Sequence, residues 1–250
     1  MSETKYEFIA HWGARREDPQ SCGARLAVML QELATVHPAF ARWNEQGRSP
    51  AEWNRPFCSM PPQADELATQ FARHPDQRVA GRERGYSVAA WNGRENDPRG
   101  AVFMVSAGDG NQWAPNPFAN SVDVNLHRRC SENADLINAE AMRGILLAVV
   151  AGWAPDSAEV MDRMQFSSLA PGQHLPHFRA GWMSYVGPRY APHVVPPPEL
   201  ISERVAGGGL LMLATREPFD ISNPAHKIAA DAIQRALEAI QLMVPQSREA

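Results

Sequence analysis

The sequence predicts an α+β fold, with an antiparallel or mixed sheet and long helices packed on it. Segments with strand periodicity cluster within each half of the chain, and one long helical segment follows each cluster instead of alternating with single strands. The composition agrees, because 44% apolar and 21% charged residues in a chain of 250 are typical of a globular protein with a core.

The first predicted elements are a strand and three helices. Residues 6–12 read as a strand, and Asp18-Pro19 predicts the start of a long helix, because Asp is a good N-cap and Pro suits the first turn. That helix should end at His37-Pro38. A capping-box pattern over residues 49–52 predicts a shorter helix, and residues 64–71 predict another amphipathic one.

The middle of the chain changes to strand periodicity. Residues 86–91 precede an Asn-Gly turn, and residues 101–107 are almost wholly apolar, which predicts a central strand buried on both faces. Residues 121–126 alternate strictly, with Val and Leu on one side and with Asp123 and Asn125 on the other.

The remaining elements follow the same style. A helix capped by Asn138 should run to about residue 153, buried nearly all round. Short strands are predicted over 159–164 and 182–186, an irregular segment over 188–198, and a hairpin over 201–215. Asn223-Pro224 opens a last helix, whose apolar stripe we expect to contain Ile228, Ala232, Ile233, Ala236, Leu237 and Ile240.

We expect a single domain over residues 1–250, because this length suits one large core. The alternative is a division near residue 154 into two similar halves, 5–153 and 154–245. No residue-level repeat relates these halves.

Charge and composition exclude several classes of function. The chain has 24 Lys+Arg against 28 Asp+Glu, a net charge of −4, which gives no footprint for direct nucleic-acid binding. The longest apolar run, residues 145–151, is too short to cross a bilayer, and no secretory signal is visible. Three widely spaced Cys fit reduced thiols. We therefore expect a cytoplasmic protein with no membrane partner.

Signatures of common enzymes are missing from the sequence. It contains no P-loop, no nucleophile elbow and no zincin motif, and Trp113 replaces the last glycine that a dinucleotide fingerprint starting at Gly108 would need. We expect no catalytic residue and no cofactor.

Three histidines, His174, His177 and His193, lie in a Pro-rich region and could in principle bind Zn²⁺. However, Pro176 breaks the helix that would place the first two on one face, and no fourth ligand is suitably spaced. We favour ordinary polar loop residues and predict no metal site.

Four residues in or beside predicted loops are candidate contacts for a protein partner: Asp109, Trp113, Asp156 and Glu159. Trp113 lies in a turn-rich loop and resembles an interface anchor, although a lid folded onto the sheet is an equal alternative. The acidic group that begins at Asp156 reads either as a solvated face or as a docking patch for a basic partner.

A series of short motifs follows a fixed order from about Tyr6 to Leu242. They are Trp12-Gly13, Phe40-Ala41-Arg42-Trp43, Trp91-Asn92-Gly93, Leu146-Leu147-x-x-Val150-x-x-Trp153-x-Pro155-Asp156, Gly181-Trp182-x-x-Tyr185, Gly209-x-Leu211 and Asn223-Pro224-x-His226. In this order the chain resembles the immunity protein 52 family of bacterial polymorphic-toxin systems. It departs from the family pattern at Ser157, where an aromatic residue is expected, and in a long loop over 109–120.

The resemblance implies a cytoplasmic antitoxin that binds a cognate toxin tightly. The family's usual partners look like nuclease effectors with a restriction-endonuclease-like domain, often delivered by type VI secretion. The resemblance thus implies that the protein occludes the toxin's active site or DNA cleft. Assembly of this chain into a homo-oligomer is compatible with that role. The mild acidity agrees with this partner, since nuclease surfaces are commonly basic.

Two other classes compete with this interpretation. A small hydrolase could use His174, His177 and Asp156, but the chain lacks a nucleophile signature. An adaptor of the secretion machinery would bind a delivery component instead of the toxin's C-terminal domain.

Overall fold

The computed structural model describes residues 6–45, 55–75, 85–93, 98–110, 119–127, 130, 133–162 and 177–244. Within these residues, nine strands form one antiparallel sheet, accompanied by four α-helices. The predicted α+β class is therefore confirmed, with the sheet antiparallel throughout.

The first strand lies at the centre of the sheet, whose order is β2-β3-β4-β5-β1-β6-β7-β9-β8. It pairs with β5 on one side and with β6 on the other, so strands from both halves of the sequence join one continuous sheet. The single domain stays a prediction. The strands are β1 (Tyr6–Trp12), β2 (Asn44–Glu45), β3 (Tyr86–Trp91), β4 (Ala101–Ala107), β5 (Asn120–Leu126), β6 (Ser157–Asp162), β7 (Met183–Val186), β8 (Ile201–Arg204) and β9 (Leu210–Leu213).

The helices begin at the residues that the capping signals predict. Asp18 Oδ1 accepts a hydrogen bond from the Ser21 amide at 2.7 Å, and Asn138 Oδ1 accepts one from the Ala141 amide at 2.9 Å. The helix predicted from residues 49–52 lies outside the described residues. The α-helices are α1 (Pro19–Val36), α2 (Ala64–Arg73), α3 (Ala139–Trp153) and α4 (Pro224–Gln241), with 3₁₀ turns at Pro38–Phe40 and Ala191–His193.

Two glycines allow α1 to approach α2 and α3 closely. A Cβ at Gly23 would lie 2.5 Å from the Ala64 carbonyl oxygen, and a Cβ at Gly152 would lie 2.7 Å from the Arg25 carbonyl oxygen. Trp153 of α3 stacks on Trp12 of β1, with ring centroids 5.3 Å apart. These contacts place α1, α2 and α3 together over one face of the sheet.

The prediction that residues 101–107 are buried on both faces is wrong. Phe103 and Val105 are fully buried, whereas Met104 between them is 42% exposed. The three helices cover the side that carries Phe103, so the other side of β4 keeps solvent contact despite its apolar sequence. An apolar run thus does not by itself show that a strand has two covered faces.

Two smaller expectations also need correction. Strand β6 begins at Ser157, two residues earlier than predicted, because Ser157 already pairs with His11 of β1. In α4, Ile228 is 67% exposed and lies outside the apolar stripe, while Ile233, Leu237 and Ile240 are buried as expected.

The last helix holds a segment that precedes β7. Gln241 Oε1 accepts hydrogen bonds from the amides of His177 and Phe178 at 3.0 and 3.2 Å, and Gln234 Oε1 accepts one from the Ala180 amide at 2.9 Å. This anchoring fixes the position of Arg179. Among the described helices, none has the length and apolarity that crossing a bilayer requires.

Candidate functional site

Ionisable side chains gather at the centre of the sheet, on the face opposite α1, α2 and α3. Ile9 of β1 is directly opposite Asp123 of β5 and Glu159 of β6, so these three share one face. Glu7 and His11 lie two residues on either side of Ile9 and point the same way. We call Glu7, His11, Asp123, Glu159 and Arg179 the central charge cluster.

A buried ion pair lies at the core of this cluster. The Arg179 Nη2 donates a hydrogen bond to Glu159 Oε1, and both side chains are buried. Glu159 Oε2 is also buried and has no hydrogen-bond partner among the described residues. Burial raises the pKa of Glu159 to about 7; Arg179 opposes the rise, and the charges of Asp123 and Glu7 add to it.

The other members of the central charge cluster are perturbed by the same low-dielectric surroundings. Burial raises the pKa of Asp123 to about 6, with a further contribution from Glu7 and an opposing one from Arg179. Burial lowers the pKa of His11 to about 4, helped by the charge of Arg179. His11 is therefore neutral near pH 7, and one guanidinium faces three carboxyl groups. The cluster has an excess of acidic groups.

A second polar network joins the ends of several strands. The Asp109 amide donates to Asn120 Oδ1 at 2.9 Å, and Asn120 Nδ2 donates to the Gly13 carbonyl oxygen at 2.9 Å. The Gly13 amide in turn donates to Asp156 Oδ2 at 3.0 Å. Asp109 and Asp156, predicted independently as partner contacts, thus belong to one hydrogen-bond network, which ties the ends of β1 and β4 to the starts of β5 and β6.

The predicted contact residues fall in two places. Asp109 and Asp156 belong to the strand-end network, with Asp109 buried and Asp156 partly buried. Glu159 lies in the central charge cluster, and Trp113 lies outside the described residues. The structure therefore does not gather the three described candidates into one surface patch.

The histidines do not form a recognisable centre in the described part of the chain. His174 lies outside it, His177 binds Gln241 through its backbone amide, and His193 is exposed on the 3₁₀ turn. Across the described ranges, no group of three or more His, Cys, Asp or Glu side chains is arranged to hold a metal ion.

Sequence reasoning missed most of the central charge cluster. The strict alternation of β5 showed that Asp123 and Asn125 share a side, and this was the available signal. Glu7 and Arg179 could not be joined to it, because only strand order brings β1, β5 and β6 together.

The comparisons with known proteins agree with this fold. A Pseudomonas aeruginosa T6SS (type VI secretion system) protein is similar in structure, with a TM-score of 0.57 and 10% sequence identity over 95% of this chain and 73% of that chain. At that identity the likeness concerns the fold alone. No curated protein sequence matches the chain. The sequence model of the immunity protein 52 family matches residues 3–246, nearly the whole length. The chain therefore belongs to the immunity protein 52 family.

Proposed function

We propose that this immunity protein binds and neutralises a nuclease effector with a restriction-endonuclease-like domain, by covering its active site or DNA cleft. The family match over residues 3–246 carries the proposal. The similar fold of a T6SS protein supports an effector from a type VI or polymorphic-toxin system. We place the encounter in the cytoplasm, where such a toxin would reach DNA.

An inhibitor of this kind needs a preorganised surface and no catalytic group of its own. The nine-stranded sheet supplies a rigid frame, because its strands pair continuously from β2 to β8. Acidic groups supply complementarity to a nuclease, whose substrate is a polyanion and whose binding cleft is therefore basic. The net charge of −4 has the matching sign.

Asp109, Trp113, Asp156 and Glu159 remain our proposed contributors to binding. Asp109 and Glu159 are buried in the free protein, so they would act by holding their neighbours in place. Asp156 is partly exposed and can meet a partner directly.

The test is co-expression of this protein with the toxin domain encoded by the adjacent open reading frame. We expect the domain to stop growth and degrade DNA when expressed alone. With this protein present, growth should recover and the two chains should co-purify in a fixed ratio. A domain that kills regardless and does not co-purify would refute the immunity pairing.

Other outcomes separate the finer alternatives. Rescue without any DNA damage by the free toxin would contradict the nuclease assignment while leaving immunity intact. Co-purification with a delivery component instead of the toxin domain would favour an adaptor. Turnover of ester or phosphodiester substrates by the purified chain would favour the hydrolase.

The contact residues are tested by affinity. Asp156→Arg and Trp113→Ala should weaken binding to the toxin domain, whereas Asp135→Arg, on an exposed turn before α3, is the matched control. Unchanged affinity in both test variants would show that these two positions were wrongly chosen.

A further inference from the structure

The sheet face opposite α1, α2 and α3 stays partly exposed over β3, β4, β5 and β1. Met104 is 42% exposed although β4 has a paired strand on each side. We call this surface the open face and define it by Trp91, Val102, Met104, Asn125, Asp123 and Glu7, all at least partly exposed. An antiparallel sheet commonly leaves one face to solvent, but that face is ordinarily polar, whereas Trp91, Val102 and Met104 place apolar side chains on it.

The register of the strands arranges the open face in rows. Trp91, Val102, Asn125 and Glu7 are successive cross-strand partners in one row. Ala89, Met104, Asp123 and Ile9 form the next row. Each row therefore runs from apolar side chains on β3 and β4 to an acidic one on β5 or β1.

A third row consists of small side chains. Ser87, Ser106 and Ser121 are cross-strand partners on β3, β4 and β5. Short side chains protrude little from the sheet there, and they lose little rotamer freedom when a partner covers them. Beside them, Trp91 and Met104 have the character of interface anchors, since Trp is enriched at hot spots and Met adapts its shape to a partner.

Within the described residues of the central charge cluster, the three carboxyl groups of Glu7, Asp123 and Glu159 face one guanidinium, that of Arg179. Arg179 already binds the buried Glu159, and Asp123 and Glu7 each lie close enough to Glu159 to raise its pKa. A Lys or Arg brought by a partner would neutralise this excess in a partly desolvated place, where charge pairing is stronger than in water.

We propose that the open face is the surface that docks the cognate toxin, with Trp91 and Met104 contacting its apolar rim and Asp123 and Glu7 pairing with a Lys or Arg of its DNA-binding cleft. This inference rests on the proposed function. It commits to a basic protein partner because the apolar rows lead to the partly exposed carboxylates of Asp123 and Glu7, which complement a surface built to hold a polyanion.

Binding of the purified toxin domain tests the surface. Met104→Arg places a cation among the anchors and should weaken the affinity by about 30-fold or more, as expected at an interface centre. Ile228→Arg is the matched control, because Ile228 is an exposed apolar residue on α4 and is not one of the residues that define the open face. It should leave the affinity unchanged.

A charge-removing variant tests the complementarity separately. Asp123→Asn keeps the side-chain volume and should weaken binding about tenfold at low salt, with a shallower dependence of affinity on salt concentration. Asp231→Asn on α4 is its control, since that exposed carboxylate pairs with Lys227 one turn earlier on the same helix. Circular dichroism and thermal melts verify that each variant is folded. If Met104→Arg does not fold, Trp91→Ala provides a second variant of the apolar anchors.

The outcomes distinguish this inference from the proposed function. If the wild-type protein neutralises the toxin domain while Met104→Arg, Trp91→Ala and Asp123→Asn all bind it normally, the open face is not the docking surface and immunity still stands. If the wild-type chain is a dimer that Met104→Arg converts to a monomer, a second copy covers the face and the inference is overturned. If the wild type does not bind the domain at all, the proposed function fails first.

Discussion

The two faces of strands β3, β4 and β5 differ sharply, although their side chains alternate along the same three segments of sequence. Toward the helices, Phe103, Val105 and Val124 have no exposed surface, whereas Met104 on the opposite face is 42% exposed. Packing constrains the first face, since each side chain there fills space between sheet and helix. The second face is only partly covered, and its apolar and acidic side chains keep some contact with solvent.

Shortening a side chain on the helix-covered face should have the largest effect on stability. Phe103 packs edge-on against Trp43 and Phe57, with ring centroids 4.8 and 5.6 Å apart. We expect Phe103→Ala to lower the free energy of unfolding by about 4 kcal/mol, because it removes buried area and leaves a cavity. Urea denaturation followed by tryptophan fluorescence measures this, and a loss below about 1 kcal/mol would show that the face is loosely packed.

Breaking the buried ion pair should come second. Arg179→Met keeps most of the side-chain volume but leaves Glu159 buried without its cation. We expect a loss of about 3 kcal/mol at pH 8, because an uncompensated buried carboxylate is costly.

The double variant with Glu159→Gln provides the control for this pair. The double variant should recover much of the stability that Arg179→Met loses. The difference between its loss and the sum of the two single losses is the interaction energy of the pair. The single variant should also lose less stability at low pH, where Glu159 is protonated. Equal losses in the single and double variants would mean that Arg179 stabilises the fold through packing alone.

Removing the charge of Asp123 should have a smaller effect, with the opposite sign. Its pKa is raised from 3.8 to about 6, so the folded state holds this proton more tightly than the unfolded state does. The associated stability is complete below about pH 4 and is lost as the pH rises through 6. Asp123→Asn should therefore stabilise the protein by about 1 kcal/mol at pH 8, a value reduced for partial solvent exposure.

The check is the unfolding free energy of wild type and Asp123→Asn between pH 4 and 8. The difference between the two proteins should grow in favour of the variant as the pH rises. A constant difference would contradict the raised pKa. A variant that is more stable but binds the toxin less well would indicate that Asp123 is kept for function.

The smallest effect is expected on the open face itself. Met104→Ala should change the free energy of unfolding by less than about 0.5 kcal/mol, because Met104 is 42% exposed and lies on the face opposite the helix-covered core. Urea titration measures the free energy of unfolding of Met104→Ala and of Phe103→Ala in the same way. The two variants form a matched pair, because Met104 and Phe103 are adjacent residues on opposite faces of β4. A loss comparable to that of Phe103→Ala would mean that other parts of the chain cover the open face.

Local sequence was enough to place most of the described elements, although not the short strand β2. Caps at Asp18 and Asn138, the alternation of β5 and the hairpin of β8 and β9 all depend on residues close in the chain, and each was found where predicted. The fixed order of the Trp and Gly motifs likewise indicates the family from the residues alone. Each of these signals is local, so it can be recognised without knowledge of the fold.

The surfaces were decided by tertiary structure. An apolar β4 looked like a strand buried on both sides, and only the placement of three helices on one side left Met104 exposed. The central charge cluster likewise exists because β1 lies between β5 and β6, which brings together carboxylates far apart in sequence. Periodicity determines which side chains share a face of a strand. Which faces become covered depends on contacts between distant segments, and a single sequence does not encode those contacts in any local pattern.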